Sequence, residues 1–291
     1  MATRFSIIIP SWNNLPFLKL CVASIRKNSA VQHQIIVHVN GGTDGTLDWV
    51  RSEGIDYTYS ERNIGVCMAC NMMRTRVATD YIFYVNDDMY LLPGWDTALA
   101  EELASLPDNR FFLSGTMIQP HNHLDCGITA NYGDSLESFD EERLLRDYMS
   151  HPMADWCGAT WPPNLLHRDL WDTIGGYSIE YTPGMGSDPD LTAKLWMAGV
   201  RHFKGLGASR AYHFETRSTG RVKRNNGRVQ FMMKWGVSNS KVRRLLLHQG
   251  EPWDSCAAPG GLSDADRRLT RLKAIWALLT GCQFGPIDPL Q

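Results

Sequence analysis

The sequence predicts an α/β fold: a mostly parallel sheet flanked by helices, followed by a helical C-terminal extension. Two observations predict it. Short β-branched runs alternate with stretches of helical periodicity through the first third of the chain, and polar turns at Pro10, Asn40-Gly41-Gly42 and Asn86-Asp87-Asp88 close three of those runs. The 291 residues are 43% hydrophobic and 21% charged, a composition that can bury one large core or two smaller ones.

The elements follow in order. Residues 5–9 read as a strand, 15–27 as a helix and 35–39 as a second strand, a unit that joins parallel strands by a right-handed crossover. A helix over 46–53 leads to a strand at 57–59. Residues 64–78 have helical spacing, 81–85 form an apolar strand, 96–106 a helix and 111–117 a further strand. In open sheets of this kind, ligands bind beyond the carboxyl ends of the strands. From about Gln119 the pattern becomes irregular, with a charged helix near 138–149 and a Trp-rich stretch from Trp156 to Trp171; it reads as an inserted recognition region rather than a separate domain. A helix over 190–198 follows, and beyond Arg217 the chain is basic and then helical. The organisation expected is a first half over 1–118, a second half of the same domain over 119–216, and a basic, helical extension over 217–291.

Several function classes drop out. A net charge of -2 and a pI near 6.5 lack the basic footprint of a nucleic-acid binder. The apolar run at the amino terminus is too short for a signal peptide, and no run approaches the ~18 apolar residues of a membrane span. The seven cysteines read as reduced thiols of a cytoplasmic protein. Cys67 and Cys70, among apolar helical neighbours, read as packing residues rather than as half a metal site.

Two carboxylates, Asp87 and Asp88, stand at the end of a buried strand. Held close, they repel unless a cation lies between them or both stay wet; Mg²⁺ and Mn²⁺ suit one or two carboxylates completed by substrate phosphates. Asp188 and Asp190 flank Pro189 at the start of a helix, where a turn can present either one to the site and Asp190 also reads as the helix cap. His213 follows a short strand, where a lone histidine reads as a structural residue. The stretch from Arg201 to Arg244 holds twelve Lys or Arg against one acid, Glu215, and 218–224 reads as a basic lid or as a solvated surface.

Over roughly 220 residues the chain resembles the family 2 glycosyltransferases of GT-A, Rossmann-like fold. Ser6-Ile-Ile-Ile-Pro-Ser-Trp-Asn13 is similar to the family's opening strand and turn, and Val39-Asn-Gly-Gly-Thr-Asp-Gly-Thr46 to its Asp-Asp-Gly-Ser loop. Asn63-Ile-Gly65 with Asn71, and Asp80-Tyr-Ile-Phe-Tyr-Val-Asn-Asp-Asp88, resemble the next two landmarks. Gly175-Gly-Tyr177 with Asp188-Pro-Asp-Leu191 resembles the last. Val39, Asn40, Asn86 and Ser187 depart from the acidic residues usual at those positions.

The resemblance implies a metal-dependent transfer of a sugar, with inversion, from a nucleoside-diphosphate donor to a hydroxyl of a glycan or glycolipid in surface polysaccharide synthesis, in the cytoplasm or at the inner face of the membrane. It implies that Pro10, Trp12, Asn40, Arg62, Asn63, Asp87 and Asp88 hold the nucleotide-sugar, that Asp88 with His213 holds Mn²⁺ or Mg²⁺, and that Asp188, with Asp190 as the alternative, removes the acceptor proton. Arg217 and Arg221 are expected over the diphosphate and Trp156 and Trp161 against the acceptor, whereas Trp171 and Trp196 read as core and His121-x-His123 as a polar loop. Two other readings stand beside it. A silent carbohydrate- or lipid-binding module keeps the fold without turnover, and a nucleotidyltransferase lacks its Gly-rich basic loop here, where the first turn is Pro10-Ser-Trp-Asn-Asn14. Finally, residues 263–282 form an amphipathic basic helix that suits a membrane surface, the domain itself or a second subunit of a homo-oligomer.

Overall fold

The computed structural model describes residues 3–121, 125–216, 222–256 and 260–281. Ten strands form one sheet: β1 (Phe5–Ser11), β2 (Gln34–Asn40), β3 (Asp56–Ser60), β4 (Tyr81–Tyr84), β5 (Met89–Leu91), β6 (Phe111–Gln119), β7 (Gly127–Thr129), β8 (Trp156–Cys157), β9 (Asn164–His167) and β10 (His202–His213). The main path runs β3-β2-β1-β4-β9-β6-β10-β5, with β7 beside β6 and β8 beside β10. Strands β3, β2, β1 and β4 are parallel, as the strand-helix-strand pattern predicts. The helices are α1 (Leu15–Asn28), α2 (Thr46–Ser52), α3 (Gly65–Met73), α4 (Trp95–Ser105), α5 (Glu141–Asp147), α6 (Arg168–Ile174), α7 (Ser187–Met197), α8 (Gly227–Trp235), the single turn α9 (Asn239–Lys241) and α10 (Asp264–Leu279).

Strand periodicity divides the core. Phe5, Ile7 and Ile9 of β1 enter one cluster, with α1 and α4, while Ile8 enters another, with α3, α6 and α7. With both faces covered, β1 is buried almost throughout, which explains its continuous apolar run. Cys67 and Cys70 are buried in the second cluster, as packing predicts.

The sequence reading missed two strands that matter. Strand β9 lies antiparallel between β4 and β6, so the irregular second half supplies strands to the same sheet. Strand β5 is three residues long and pairs antiparallel with β10, setting Met89 opposite His213. His213 therefore ends a twelve-residue strand, not a short one. The cysteine expectation also needs correction. Cys157 and Cys256 are joined as a disulfide across a sequence separation of 99, because the chain after α9 folds back along β8; spacing in sequence carries no sign of that return.

Candidate active site

A cleft of about 440 Å³ opens along the carboxyl edge of the sheet. The ends of β1, β2, β4 and β10 contribute Pro10 to Trp12, Asn40, Asn86 to Asp88, and His213 with Glu215 and Thr216. The opposite wall is the segment Pro183 to Asp188 that enters α7.

The β2 side of the cleft is held by amide chemistry. The Asn40 side-chain N–H donates to Asn63 Oδ1 at 2.8 Å, and Asn40 Oδ1 accepts from the Ile64 backbone at 2.7 Å. Asn63 Oδ1 also accepts from Gly65 N at 2.8 Å. These bonds tie the turns after β2 and β3 to the start of α3. Gly65, at φ +77°, is required there: a Cβ would meet Pro183 Cα at 2.9 Å. The same close approach lets Val66 N donate to Pro183 O at 3.0 Å, joining the two walls.

The carboxylates are held differently. Asp87 accepts from Ser11 Oγ at 2.7 Å and Asn14 Nδ2 at 3.1 Å, so the β1 turn fixes it. Asp88, buried, accepts from Thr216 N at 2.9 Å and Thr216 Oγ1 at 2.7 Å on one oxygen, and its other oxygen lies 3.3 Å from His213 Nε2. Burial opposes ionisation of Asp88, but the His213 charge and hydrogen bond together with both Thr216 bonds outweigh it and hold the pKa low. Burial likewise disfavours the imidazolium, and Asp88 reverses the balance, raising the His213 pKa. The β5–β10 pairing makes this contact, since Phe214 N donates to Asp88 O at 3.1 Å beside the Met89–His213 register.

On the far side of His213 the Gln119 amide nitrogen lies 2.8 Å from Nδ1. As an amide donor to Nδ1 it leaves Nε2–H for Asp88; with its carbonyl turned inward it accepts from Nδ1–H and leaves the Nε2 lone pair free for a cation.

Asp188 lies in the first turn of α7, whose N-cap is Gly186. Tyr177 Oη donates to Asp188 Oδ1 at 2.9 Å from a buried position. Burial raises the Asp188 pKa from 3.8 to about 6, against the lowering effect of that hydrogen bond. Asp190 differs sharply, and the reading of it as the helix cap is corrected. The helix starts at Ser187, three residues before it, and Asp190 is wholly buried away from the cleft. It accepts from Ser178 Oγ at 2.5 Å and Trp235 Nε1 at 2.8 Å, and pairs with Lys234 at 2.9 Å. Asp190 anchors α8 and is not among the residues that line the cleft.

Other predicted residues lie away from the cleft. Trp156 is not a surface platform; it is 3% exposed, donates to Thr116 Oγ1 at 3.0 Å and packs where Gly205 leaves room, a Cβ there falling 1.9 Å from its ring. Trp161 packs against the core and under Arg243, and its neighbour Pro162 lines the cleft instead. Trp171 is buried against Tyr177, as a core residue should be, and the half-buried Trp196 stacks on Phe203 at the edge of the same core cluster. Arg62 is exposed and outside the cleft lining. His121 meets Glu215. Arg217, Arg221 and His123 lie outside the described residues.

Ser11, Asn14, Gln119, Tyr177 and Thr216, which brace the acidic groups, were not singled out from sequence. Tyr177 alone carried a signal, its hydroxyl in the Gly175-Gly-Tyr177 segment, where an aromatic residue is usual. Among the described residues no group of three or more His, Cys, Asp or Glu forms a metal cage.

Comparison with known proteins agrees with this architecture. Glycosyl transferase family 2 matches residues 6–124. No curated protein matches the sequence. Among solved structures, S. aureus TarS 1-349 aligns with a TM-score of 0.54 and 14% identity over 72% of this chain and 60% of that one. The same protein in complex with UDP-GlcNAc gives 0.50 and 15%, over 74% of this chain and 61% of that one. GalNAc-T7 with UDP, GalNAc and Mn²⁺ gives 0.52 and 14%, over 77% and 44%. The chain thus spans less than two thirds of each of these solved chains. Residues 6–124 are similar to glycosyl transferase family 2, and the chain shares the GT-A fold of these solved glycosyltransferases.

Proposed function

We propose that this chain is an inverting, metal-dependent glycosyltransferase that moves a sugar from a nucleoside-diphosphate donor to a hydroxyl of a glycan or glycolipid. The observation that carries the reading is the pairing, within one cleft, of a poised base with a cation-seeking carboxylate cluster. Asp188, with a pKa near 6, is ionised at neutral pH yet basic enough to take a hydroxyl proton as the bond to the anomeric carbon forms. Tyr177 orients it.

The described lining contains Asp87, Asp88, Asp188 and Glu215 and no Lys or Arg. A diphosphate entering such a cleft needs a cation. Asp88 and His213 present an oxygen and a nitrogen 3.3 Å apart, a donor set suited to Mn²⁺ or Mg²⁺ when phosphate oxygens complete the shell. Bound there, the ion would neutralise charge on the departing diphosphate. Asn40 and Asn63 shape the nucleoside side, and the family match favours sugar transfer over nucleotidyl transfer. UDP and UDP-GlcNAc in the TarS structures, and UDP in that of GalNAc-T7, put uridine nucleotides first among those to test.

Calorimetric titration of UDP, GDP, dTDP and CDP, with and without Mn²⁺, on wild type and Asp88→Ala tests the donor site. Binding of one nucleotide that requires both the metal and Asp88 is expected. No binding of any nucleotide would leave a silent module on a shared fold. NMR of the product's anomeric proton tests inversion, and a retained configuration rules out Asp188 as the lone base.

A further inference from the structure

Helix α10 is mounted with its apolar face outward. Its inward face is made of small residues, Thr270, Ala274 and Ala277, and Ala277 packs with Val229 and Met232 of α8. Its start is fixed by a Ser263–Asp266 capping box and by an ion pair from Lys241 to Asp266. On the opposite face, Leu272, Ile275, Trp276 and Leu279 fall together at helical spacing and are 65%, 52%, 69% and 77% exposed. A helix that only packed on the domain would show the reverse arrangement, large apolar side chains inward and polar ones outward.

Charge identifies the partner. From Arg267 to Leu279 the helix has four basic residues, Arg267, Arg268, Arg271 and Lys273, and no acid. At 100° per residue, Arg268 shares the outward face one turn before Leu272, while Arg271 and Lys273 lie toward its two sides. A second copy of the same face would oppose this cationic rim with a like one. A bilayer with anionic headgroups offers apolar depth for the leucines, an interface for the tryptophan and negative charge for the rim. No helix among the described residues is long and apolar enough to cross a membrane. We infer that α10 lies flat on an anionic lipid surface, with Leu272, Ile275, Trp276 and Leu279 inserted and the arginines at headgroup level.

The test is co-sedimentation of the full chain with vesicles of phosphatidylglycerol and phosphatidylcholine, and with vesicles of phosphatidylcholine alone. Binding to the anionic vesicles is expected, weakened by salt and much reduced on neutral ones. The double variant Leu272→Glu/Trp276→Glu should weaken it by about a hundredfold, and Arg268→Glu/Arg271→Glu by about tenfold or more. All four positions are exposed, so circular dichroism should report an unchanged fold. Absence of binding to anionic vesicles, or binding indifferent to Leu272→Glu/Trp276→Glu, overturns the proposal. So does a lipid-free dimer in analytical ultracentrifugation that Leu272→Glu/Trp276→Glu converts to monomer, since a second copy would then own this face.

Discussion

Asp188→Asn should remove turnover and strengthen the fold, two effects that only a desolvated base produces together. The wild-type carboxyl titrates near 6 in the folded protein and near 3.8 when free. Because the folded state holds the proton more tightly, the stabilising contribution of this group is complete below about pH 3.8 and is lost as pH rises through about 6. At 1.36 kcal/mol per pH unit the full loss is ~3 kcal/mol. Partial exposure of the carboxylate and its favourable place in the first turn of α7 reduce this to ~1–3 kcal/mol. Asparagine keeps an oxygen for the Tyr177 hydroxyl and has no charge to desolvate. Urea unfolding at pH 7.5 should therefore find the variant more stable by ~1–3 kcal/mol, with the difference vanishing near pH 4. Sugar transfer should fall by about 10²–10⁴-fold, the usual share of general-base catalysis, and the wild-type rate should rise with pH to a plateau above about 6. Equal or lower stability at pH 7.5, or transfer within a few-fold of wild type, would refute the reasoning.

Three further outcomes separate the site from its supports. Asp190→Ala strips the buried partner from Lys234 and Trp235 and should cost ~3–5 kcal/mol in denaturant unfolding, yet leave kcat near wild type in the folded fraction. A kcat loss as large as that of Asp188→Asn would restore Asp190 as the base. Gln119→Leu removes the amide that fixes the His213 ring and should weaken Mn²⁺-dependent nucleotide binding by ~10–100-fold in calorimetric titration. Trp156→Ala opens a cavity over Gly205 and should cost ~3–5 kcal/mol of stability without altering the acceptor KM; a KM effect in a well-folded protein would return Trp156 to the acceptor site.

The first half of the fold was legible because each of its strands is joined to the next by a local crossover, so periodicity reports it directly. The limits were physical. Strand β5 has three residues, fewer than alternation needs to register, and β9 is defined by antiparallel partners that lie far from it in sequence. Asp87, Asp88, Asp188 and His213 could be picked out because they are titratable groups at the ends of predicted elements, where open sheets bind their ligands. Their supports could not. Ser11, Asn14 and Thr216 are ordinary turn residues until the sheet brings them to a carboxylate. Trp156 misled for the opposite reason: an aromatic residue in a polar stretch looks like a sugar platform unless the glycine that accommodates it, 49 residues on, is known to lie across the sheet.

The placement of His213 gives the sheet's mixed topology a chemical consequence. A wholly parallel sheet would deliver Asp87 and Asp88 to one edge and leave them facing solvent, where two carboxylates remain separately hydrated. Reversing direction in β5 turns the chain back beside β10, so that the next strand end meets Asp88 with an imidazole and a Thr216 hydroxyl. That environment keeps Asp88 ionised although it is buried. Around Asp188 burial outweighs the single Tyr177 hydroxyl bond, and its pKa rises. Two carboxylates in one cleft are thereby driven in opposite directions, one held anionic and the other made more basic, which is the division of labour that the proposed sugar transfer requires.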